Sequence, residues 1–449
     1  MRANIESVMP SILILGAGRS SSSLISYVLK FGAANSIDVT VGDVSLQAAQ
    51  EKTSGFPNGK AIAFDINNKD TSLQAINGTT VVISLLPAHL HAAVGKLCLQ
   101  TGTHFLTTSY VSDEMKSLDK ESRNKSLLFL NECGLDPGID HMSAMQVMER
   151  IRSEEGKITS FESFTGGLIA TETDVDNPWR YKFTWNSRNV VMAGQGTAKF
   201  LQDGKYTFIP YQRLFKTITP VVVPGYGEYE GYANRDSLKY LKTYGLNDVR
   251  TMVRGTLRNK GFCSAWDVFV QLGCCEDTYE LEGVENMTHA SFMKSFVDPK
   301  KNESIQTTIV RECNATEEDM RRLEWSGLFT DEPVGLSNGT PAQVLEHILN
   351  KKWKLQPNDK DMIVMWHRFG FTKNGVVKRL DATLIAKGSN SVDTAMAKTV
   401  GLPLAIAARL LIQGKIEQRG VVIPTSKEIY DPVLRELNSM GVELKEWES

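Results

Sequence analysis

The sequence has little cysteine and no excess of either charge. Six of its 449 residues are cysteines, and no two of them form a C-x-x-C pair, which argues against a zinc site and against a disulfide framework. Lysine and arginine number 50 against 52 aspartates and glutamates, a formal net charge of −2. A balance this close to zero gives no reason to expect nucleic acid or an anionic membrane surface as a partner.

Long hydrophobic runs are also lacking. The longest, residues 400–412, is interrupted by Pro403 and Arg409 and is shorter than the roughly 20 residues that cross a bilayer. No basic segment followed by an apolar stretch, the pattern of a signal peptide, precedes Pro10. The 41% of hydrophobic residues suffices for buried cores, and the length suggests two large domains or about three smaller ones. We therefore expect a cytoplasmic globular protein without a membrane partner.

The first third of the chain contains a regular alternation of short apolar runs and helical patterns. Short apolar strands that alternate with helices indicate a parallel sheet covered on both faces. Six such strands complete a Rossmann dinucleotide-binding fold. The predicted strands are residues 12–15, 37–41, 61–64, 81–85, 104–107 and 127–131, and the predicted helices between them are 24–31, 46–52, 71–76, 90–99 and 113–124.

A glycine-rich turn follows the first predicted strand directly. It reads G-A-G-R-S-S over residues 16–21 and a helix comes next, so its free amides and the positive end of the helix dipole suit a pyrophosphate. Gly16 permits the tight turn, and Gly18 lets a phosphate approach the backbone. Ser21 replaces the third glycine, and Ser20–Ser23 offer hydroxyl donors. The strand before the turn and the helix after it favour dinucleotide binding over a glycine turn without a ligand.

The end of the second predicted strand indicates which dinucleotide is preferred. Asp43 stands where a carboxylate accepts hydrogen bonds from the ribose hydroxyls and repels a 2′-phosphate. No arginine lies in this segment, whereas NADP enzymes usually place one there. The pattern favours NAD, with NADP as the alternative. Asp43 or Ser45 would serve equally well as the N-cap of the next helix.

Residues 131–141, N-E-C-G-L-D-P-G-I-D-H, end the sixth predicted strand and open a helix. Asp136, Asp140 and His141 therefore lie at the carboxyl edge of the sheet, where ligands bind in open α/β folds. Asp136 is the better candidate for chemistry, since Asp140 is well placed to cap the helix. His141 fits a packed or capping residue better than a catalytic one.

The remainder of the chain has a different pattern. Aromatic residues crowd 177–185, and arginines lie close to glycines in 231–237 and 254–258, where they could bind carboxylates or form structural ion pairs. Residues 276–354 are charged and helical without strand-like alternation. Strands are predicted over 361–368 and 376–386 and helices over 395–413 and 433–440. We expect the last helix and a final strand to pack on the first domain.

The whole chain resembles the glutamate-forming saccharopine dehydrogenases, also called saccharopine reductases, and in particular the dehydrogenase half of animal aminoadipic semialdehyde synthase. The resemblance rests on motifs spread over nearly the full length. They are VISLLP at 82–87, TTSYV at 107–111, GLDPGIDH at 134–141, NPWRYKFTW at 177–185, NRDS at 234–237, RGTLR at 254–258, KDMIVM at 360–365 and AMAKTVGLP at 395–403.

The resemblance implies three domains and a homodimer. A Rossmann NAD(P)-binding domain would comprise residues 1–133 and 391–449. A second α/β domain for substrate binding and dimerisation would comprise 134–275 and 359–390. A small helical inserted domain would comprise 276–358 and close over the cleft.

The resemblance also implies the reaction. L-Saccharopine, a secondary amine with three carboxylates, would lose hydride to NAD(P)⁺, and the resulting imine would be hydrolysed to L-glutamate and L-2-aminoadipate 6-semialdehyde. Asp136 and Tyr110 would be catalytic, and no metal is implied. Substrate would contact Ser109, Tyr110, Asp136, Thr165, Arg235, Thr256, Leu257 through its backbone, and Arg258. The dinucleotide would contact Gly16, Gly18, Arg19, Ser20, Ser21, Asp43, Asp65, Ile66, Ile83, Thr108, Ser109, Leu135, Trp185 and Ser187.

The chain departs from the family pattern at Thr165, where the family usually has a cysteine before Gly-Gly-Leu. A threonine hydroxyl cannot exchange a proton near neutral pH as a thiol can. If that cysteine belongs to the acid–base set, the enzyme must rely on Asp136 and Tyr110. Two alternatives stay open: an oxidoreductase for another amino-acid–amine imine, as in carboxynorspermidine formation, and a dinucleotide-binding sensor without catalysis.

Overall fold

The structure is a computed structural model that describes residues 10–193 and 195–448, except for the side chain of Arg19. The segment before Pro10, on which the prediction about a signal peptide depends, lies outside the described residues.

In these residues the strands are β1 (Ser11–Leu15), β2 (Asp38–Asp43), β3 (Gly59–Ala63), β4 (Val81–Ser84), β5 (His104–Thr107), β6 (Leu128–Leu130), β7 (Lys157–Ile169), β8 (Ala198–Gln202), β9 (Lys205–Ile209), β10 (Thr219–Val223), β11 (Gly227–Ala233), β12 (Thr251–Asn259), β13 (Asp361–Lys373), β14 (Val376–Lys387), β15 (Gly420–Val422) and β16 (Leu444–Glu448).

The helices are α1 (Ser22–Asn35), α2 (Leu46–Thr53), α3 (Lys69–Ile76), α4 (His91–Thr101), α5 (Asp113–Ser117), α6 (Asp119–Asn124), α7 (Ile139–Ser153), α8 (Ser187–Val191), α9 (Tyr211–Leu214), α10 (Phe262–Leu272), α11 (His289–Lys294), α12 (Ile305–Cys313), α13 (Glu317–Trp325), α14 (Pro341–Trp353), α15 (Ala395–Ile412) and α16 (Lys427–Ser439). Short 3₁₀ turns cover Arg19–Ser21, Ala88–Leu90, Ser237–Tyr240 and Val284–Asn286.

The chain folds into two compact units. Unit 1 is drawn from Met1–Arg150 and Val392–Leu444, and unit 2 from Ile151–Ser391 and Lys445–Ser449. The helical stretch that was predicted from composition lies within unit 2 as α11 to α14. The division into three domains with the boundaries given above stays a prediction.

Unit 1 contains a parallel sheet in the order β15-β6-β5-β4-β1-β2-β3. All six predicted strands are confirmed, and β15 adds a seventh beside β6. The chain moves outward from β1 to β2 and β3, and then continues on the other side of β1 with β4. Because the order reverses there, the carboxyl ends of β1 and β4 form the switch point at which such sheets bind ligands.

Helix α15 packs inside unit 1. Gly401 lets it approach α1 closely, since a Cβ atom at this position would lie 3.0 Å from the backbone nitrogen of Leu24. The apolar run 400–412 is part of this longer helix, which has 18 residues and by length and composition alone could cross a membrane. Fourteen of those residues are buried in the fold, as in the core helix of a globular domain.

Unit 2 contains a mixed sheet with the path β10-β11-β12-β7-β13-β14-β16, and the hairpin β8–β9 pairs with β12. Strand β7 runs parallel to β12 and antiparallel to β13. The prediction that the final strand packs on the first domain was wrong, since β16 extends the sheet of unit 2 next to β14. Helix α16 does belong to unit 1, but it begins at Lys427, earlier than predicted.

The aromatic segment 177–185 contributes to the core of unit 2. Trp179 is 1% exposed and stacks on Phe269, and Trp353 and Phe262 contact its edges. Its indole nitrogen donates a hydrogen bond to the backbone oxygen of Arg322 at 2.7 Å. This part of the motif is therefore structural.

Candidate active site

The glycine-rich turn has the geometry that the sequence predicted. Gly16 has φ +106°, and a Cβ atom there would lie 3.1 Å from the backbone oxygen of Leu85. Its N–H donates to Gly42 O at 2.8 Å, which ties the turn to the end of β2. A Cβ atom at Gly18 would meet nothing within 4 Å, so the backbone at Gly18 is open to a ligand. The turn therefore fits a pyrophosphate.

The serines of this turn are not equivalent. Ser21 is 2% exposed, and both its N–H and its hydroxyl donate to Gly18 O, at 3.2 and 2.7 Å. Its hydroxyl thus stabilises the turn at the position usually held by the third glycine. Ser20 is half-buried, and the side chain of Arg19 lies outside the described atoms. Phosphate contacts from these residues stay predictions.

Asp43 ends β2 with both carboxylate oxygens in use. Oδ2 accepts a hydrogen bond from Ala17 N at 2.7 Å, and Oδ1 accepts one from Ser45 N at 2.9 Å. Of the two candidate N-caps for α2 it is Ser45 that caps the helix, by accepting from Ala48 N. Asp43 therefore holds a fixed negative charge against the glycine turn.

The other dinucleotide-site candidates of unit 1 lie along the same carboxyl edge. Asp65 and Ile66 follow β3, and the Asp65 carboxylate accepts two hydrogen bonds from Asn67 at 2.9 Å. Thr108 follows β5 and is half-buried. Ile66 is 8% exposed, and the side chains of Ile83 in β4 and Leu135 after β6 are likewise enclosed by protein.

His91, which the sequence analysis did not select, joins hydroxyls at this edge. Its Nδ1 lies 3.0 Å from Ser84 Oγ, and its Nε2 lies 2.9 Å from Ser109 Oγ and 3.2 Å from Thr107 Oγ1. The ring is 5% exposed, and burial lowers its pKa to about 4, so it is neutral near pH 7. The sequence feature that could have identified His91 is its place shortly after the VISLLP motif, at the first position of α4.

Tyr110 and Asp136 come together although 26 residues separate them. The tyrosine hydroxyl donates to Asp136 Oδ1 at 3.3 Å, and both side chains are partly exposed. His141 is fully buried and lies 2.9 Å from Glu132 Oε2, as expected for a packed residue. Asp140 Oδ1 accepts from Gly138 N at 2.6 Å, so this carboxylate holds the turn before α7.

In unit 2 two threonines from the predicted substrate set are neighbours. Thr165 on β7 is directly opposite Thr256 on β12. Among the described residues nothing hydrogen-bonds to the buried hydroxyl of Thr165, whereas Thr256 Oγ1 accepts from Asn234 Nδ2 at 3.3 Å. A buried hydroxyl without a partner is uncommon, because its desolvation is then uncompensated.

Arg258 is the most informative residue of unit 2. It is 5% exposed, and its guanidinium lies over the rings of Tyr181, Phe262 and Tyr232 at 4.9, 5.2 and 5.9 Å. Its Nη1 donates to Leu257 O, while its Nε has no partner in the described chain. No described Asp or Glu forms an ion pair with it, although buried charges are normally paired. The arrangement fits an anionic ligand.

The other candidates of unit 2 are less enclosed or already engaged. Arg235 is exposed and has φ +55°, just after β11. Trp185 is partly buried against the core. Ser187 begins α8, and its hydroxyl donates to Glu346 on α14, so it links two helices. Leu257 is fully buried, so a contact with substrate would use its backbone.

The six cysteines do not have the features of reactive thiols. All six are unpaired and buried, and burial raises the pKa of each thiol, to about 11 for Cys313 and about 12 for Cys275. Among residues 10–193 and 195–448 no group of three or more His, Cys, Asp or Glu side chains could hold a metal ion.

Two family models match the chain. The one described as "Saccharopine dehydrogenase NADP binding domain" covers residues 12–130, and the one described as "Saccharopine dehydrogenase C-terminal domain" covers residues 134–442. Together they span both units.

Curated relatives and a solved structure agree with these matches. Saccharopine dehydrogenase (NADP(+), L-glutamate-forming) of Schizosaccharomyces pombe is 33% identical over 98% of this chain and 99% of its own length. The mitochondrial alpha-aminoadipic semialdehyde synthase of Rattus norvegicus is 33% identical over 97% of this chain, which spans 47% of that longer protein.

Apo saccharopine dehydrogenase (L-Glu forming) from Saccharomyces cerevisiae has a TM-score of 0.87 and 31% identity, and the match covers 98% of this chain and all of that one. Full-length similarity in sequence and in fold, with a glycine turn suited to a dinucleotide, leads to one assignment. The chain belongs to the saccharopine dehydrogenase family.

Proposed function

We propose that this protein oxidises L-saccharopine to L-glutamate and L-2-aminoadipate 6-semialdehyde with a nicotinamide dinucleotide. The observation that carries the proposal is Arg258, a buried guanidinium inside an aromatic cage without an anionic partner in the described chain. A substrate carboxylate would supply the missing charge. Guanidinium and carboxylate match in shape and can form two parallel hydrogen bonds, which favours arginine at such a site.

Unit 1 would bind the dinucleotide. Gly16 and Gly18 would give the pyrophosphate access to the amides at the start of α1. The carboxylate of Asp43 would accept hydrogen bonds from the ribose hydroxyls. When bound, the nicotinamide ring accepts the hydride that leaves the substrate. The hydroxyls of Ser84, Thr107 and Ser109, joined by His91, give this edge a fixed set of polar groups.

The acid–base work falls to Asp136 and Tyr110. Loss of hydride from the carbon next to the secondary amine, with loss of the amine proton, leaves a carbon–nitrogen double bond. Water then adds to that carbon, and the carbon–nitrogen bond breaks to give the aldehyde and the amine of glutamate. Asp136 would accept the proton from the amine and return it to the imine nitrogen; it would then accept a proton from the attacking water and deliver it to the departing glutamate nitrogen, while the remaining hydroxyl proton is released as the aldehyde forms. The Tyr110 hydroxyl bonded to Oδ1 orients the Asp136 carboxylate.

We propose NAD as the preferred dinucleotide and NADP as the alternative. The fungal relative is named for NADP(+). In this chain the negative charge of Asp43, held against the turn by Ala17 N, opposes a 2′-phosphate. A homodimer and a cytoplasmic location are further predictions. Sedimentation analysis of the purified protein would test the first of these, and fractionation of the source cells would test the second.

The deciding experiment measures initial rates of reduced nicotinamide formation from L-saccharopine, with NAD⁺ and NADP⁺ in parallel. We expect turnover with both, faster with NAD⁺. A preference for NADP⁺ would overturn the cofactor argument but keep the reaction. NADH binding without turnover of saccharopine would contradict the proposal. It would point to another amino-acid–amine substrate or to a sensor, the two alternatives that the departure from the family pattern at Thr165 leaves open.

A further inference from the structure

Glu132 is buried beside the site and has an unfavourable backbone conformation. It follows β6 by two residues, is 4% exposed and has φ +55°, in the left-handed region that L side chains avoid. Glycine or asparagine is the usual occupant of such a position. A glutamate that is kept there at a conformational cost suggests that its side chain is needed.

The contacts of Glu132 lie on both sides of Tyr110. Its backbone N–H donates to Ser109 O at 3.0 Å, and its side-chain Oε1 accepts from Val111 N at 3.0 Å. One residue thus fixes the peptide groups before and after the tyrosine. These two hydrogen bonds fix the backbone on both sides of Tyr110 and thereby the direction of its side chain.

The second carboxylate oxygen of Glu132 ties this arrangement to α7. Oε2 lies 2.9 Å from Nε2 of the fully buried His141. His141 sits on the first turn of α7, directly after the loop that carries Asp136. Glu132 therefore connects the segment that carries Tyr110 with helix α7, which follows Asp136. The positions of both affect the 3.3 Å contact between the tyrosine hydroxyl and the aspartate carboxylate.

We propose that Glu132 is a positioning residue that sets the Tyr110–Asp136 geometry, with His141 fixing the orientation of its carboxylate. The inference rests on the proposed function, because it assumes that Tyr110 and Asp136 take part in the reaction. Glu132 acts through Tyr110 and has no direct part in the chemistry. Its removal should therefore lower kcat and leave the binding of dinucleotide and substrate nearly unchanged.

A double-mutant cycle tests this with the full-length protein. We expect Glu132→Gly, which suits the positive φ, to lower kcat with saccharopine by about 100-fold, the scale of a misplaced reacting group. KM values should stay within about threefold of the wild type. Tyr110→Phe should also lower kcat, and the double variant should be no slower than Tyr110→Phe alone. Multiplying effects would show that Glu132 acts independently of Tyr110 and would overturn the inference.

Two further variants separate positioning from folding. Glu132→Gln keeps an acceptor for Val111 N and should restore kcat to within about threefold of the wild type. Glu149→Ala is the control, because it removes another partly buried carboxylate of unit 1, one that is bonded to Tyr430. It should lower Tm about as much as Glu132→Gly does and leave kcat unchanged. If Glu132→Gly does not fold, Glu132→Met fills a similar volume without an acceptor and takes its place in the cycle.

Crystal structures keep the two proposals distinguishable. If the wild type does not oxidise saccharopine, the proposed function fails, and the positioning role is then read from the separation of Tyr110 Oη and Asp136 Oδ1. We expect this separation to exceed hydrogen-bond distance in Glu132→Gly and to be preserved in Glu132→Gln. An unchanged separation in Glu132→Gly would overturn the inference whatever the activity.

Discussion

Oδ2 of Asp43, at the end of β2, accepts a hydrogen bond from the backbone N–H of Ala17 in the glycine turn over 2.7 Å. The residue that would recognise the ribose therefore also stabilises the loop that would hold the pyrophosphate. Cofactor preference and the shape of the phosphate site would then be coupled through one carboxylate.

We expect Asp43→Asn to lower the ratio of kcat/KM for NAD⁺ to that for NADP⁺ by about tenfold, equivalent to about 1.4 kcal/mol, because the amide carries no charge to oppose a 2′-phosphate. Initial rates with both cofactors measure the ratio. Asp38→Asn, at the other end of β2 and exposed beside Lys60, is the matched control and should leave the ratio unchanged. An unchanged ratio in Asp43→Asn would show that another group selects the cofactor.

Arg258→Met should separate binding from stability. Removal of a buried charge without a counter-ion is expected to leave the free energy of unfolding unchanged or higher by about 1 kcal/mol. The KM for saccharopine should rise by about 100-fold, because a substrate carboxylate would lose its charged partner. Rates and thermal unfolding of the same preparation test both effects. Arg311→Met, at an exposed arginine of unit 2, should change neither, and a normal KM in Arg258→Met would remove this site from substrate binding.

Asp136→Asn should lower kcat by about 10²–10⁴-fold, the usual contribution of a general base, while the Kd for NADH changes little. Tyr110→Phe should have a smaller effect of the same kind, because it removes the hydrogen bond to Asp136 Oδ1 and leaves the carboxylate itself in place. Pre-steady-state rates and NADH fluorescence titration distinguish chemistry from binding. Full turnover in Asp136→Asn would exclude this carboxylate from the mechanism.

The low pKa of His91 predicts that acid destabilises the protein. The folded-state pKa of about 4 lies below the ordinary 6.5, so the unfolded chain binds the proton more strongly between these values. Stability from this group is complete above pH 6.5 and is lost as the pH falls towards 4, by about 2 kcal/mol at pH 5. Urea unfolding of His91→Asn near pH 7.5 and pH 5 should show a loss smaller by that amount than in the wild type. An equal loss would mean that His91 is protonated with its normal pKa.

Thr165→Val should not destabilise unit 2. The threonine hydroxyl is buried without a partner in the described chain, so its replacement by a methyl group removes a desolvation cost. We expect the free energy of unfolding to be equal or higher by about 0.5–1 kcal/mol. Thr165→Ser, which keeps the hydroxyl and loses the methyl group, is the comparison and should be less stable. A clear loss of stability in Thr165→Val would indicate a bound water or ligand at this hydroxyl.

Local pattern was enough to predict the first sheet. Each of the six strands that were predicted, of the seven in the sheet, is a short run with apolar residues bounded by a turn, and the helices between them have the 3.6-residue period. Strand β15 was missed because it is only three residues long, and its place beside β6 depends on an element almost 300 positions earlier. The final strand was assigned to the wrong sheet for the same reason, since pairing with β14 is a tertiary contact that the sequence of β16 does not specify.

The site was predicted in its residue types but not in its internal contacts. Asp136 and Tyr110 were chosen separately, and only the fold shows that they touch. His91 and Glu132 escaped notice because their importance lies in what they bond to, and a histidine or glutamate near a strand end is common. The sequence alone does not distinguish Arg258 from the other arginines, because its burial and its lack of an acidic partner among the described residues are properties of the fold.

Unit 1 is built from both ends of the chain, with α15, β15 and α16 supplied by residues after Val392. During synthesis the first 150 residues leave the ribosome without the buried helix α15 that packs against Leu24 of α1. The apolar surface that α15 will cover is exposed until residues 151–391 of unit 2 have been translated. A chain truncated before α15 would expose this apolar surface permanently, which favours aggregation.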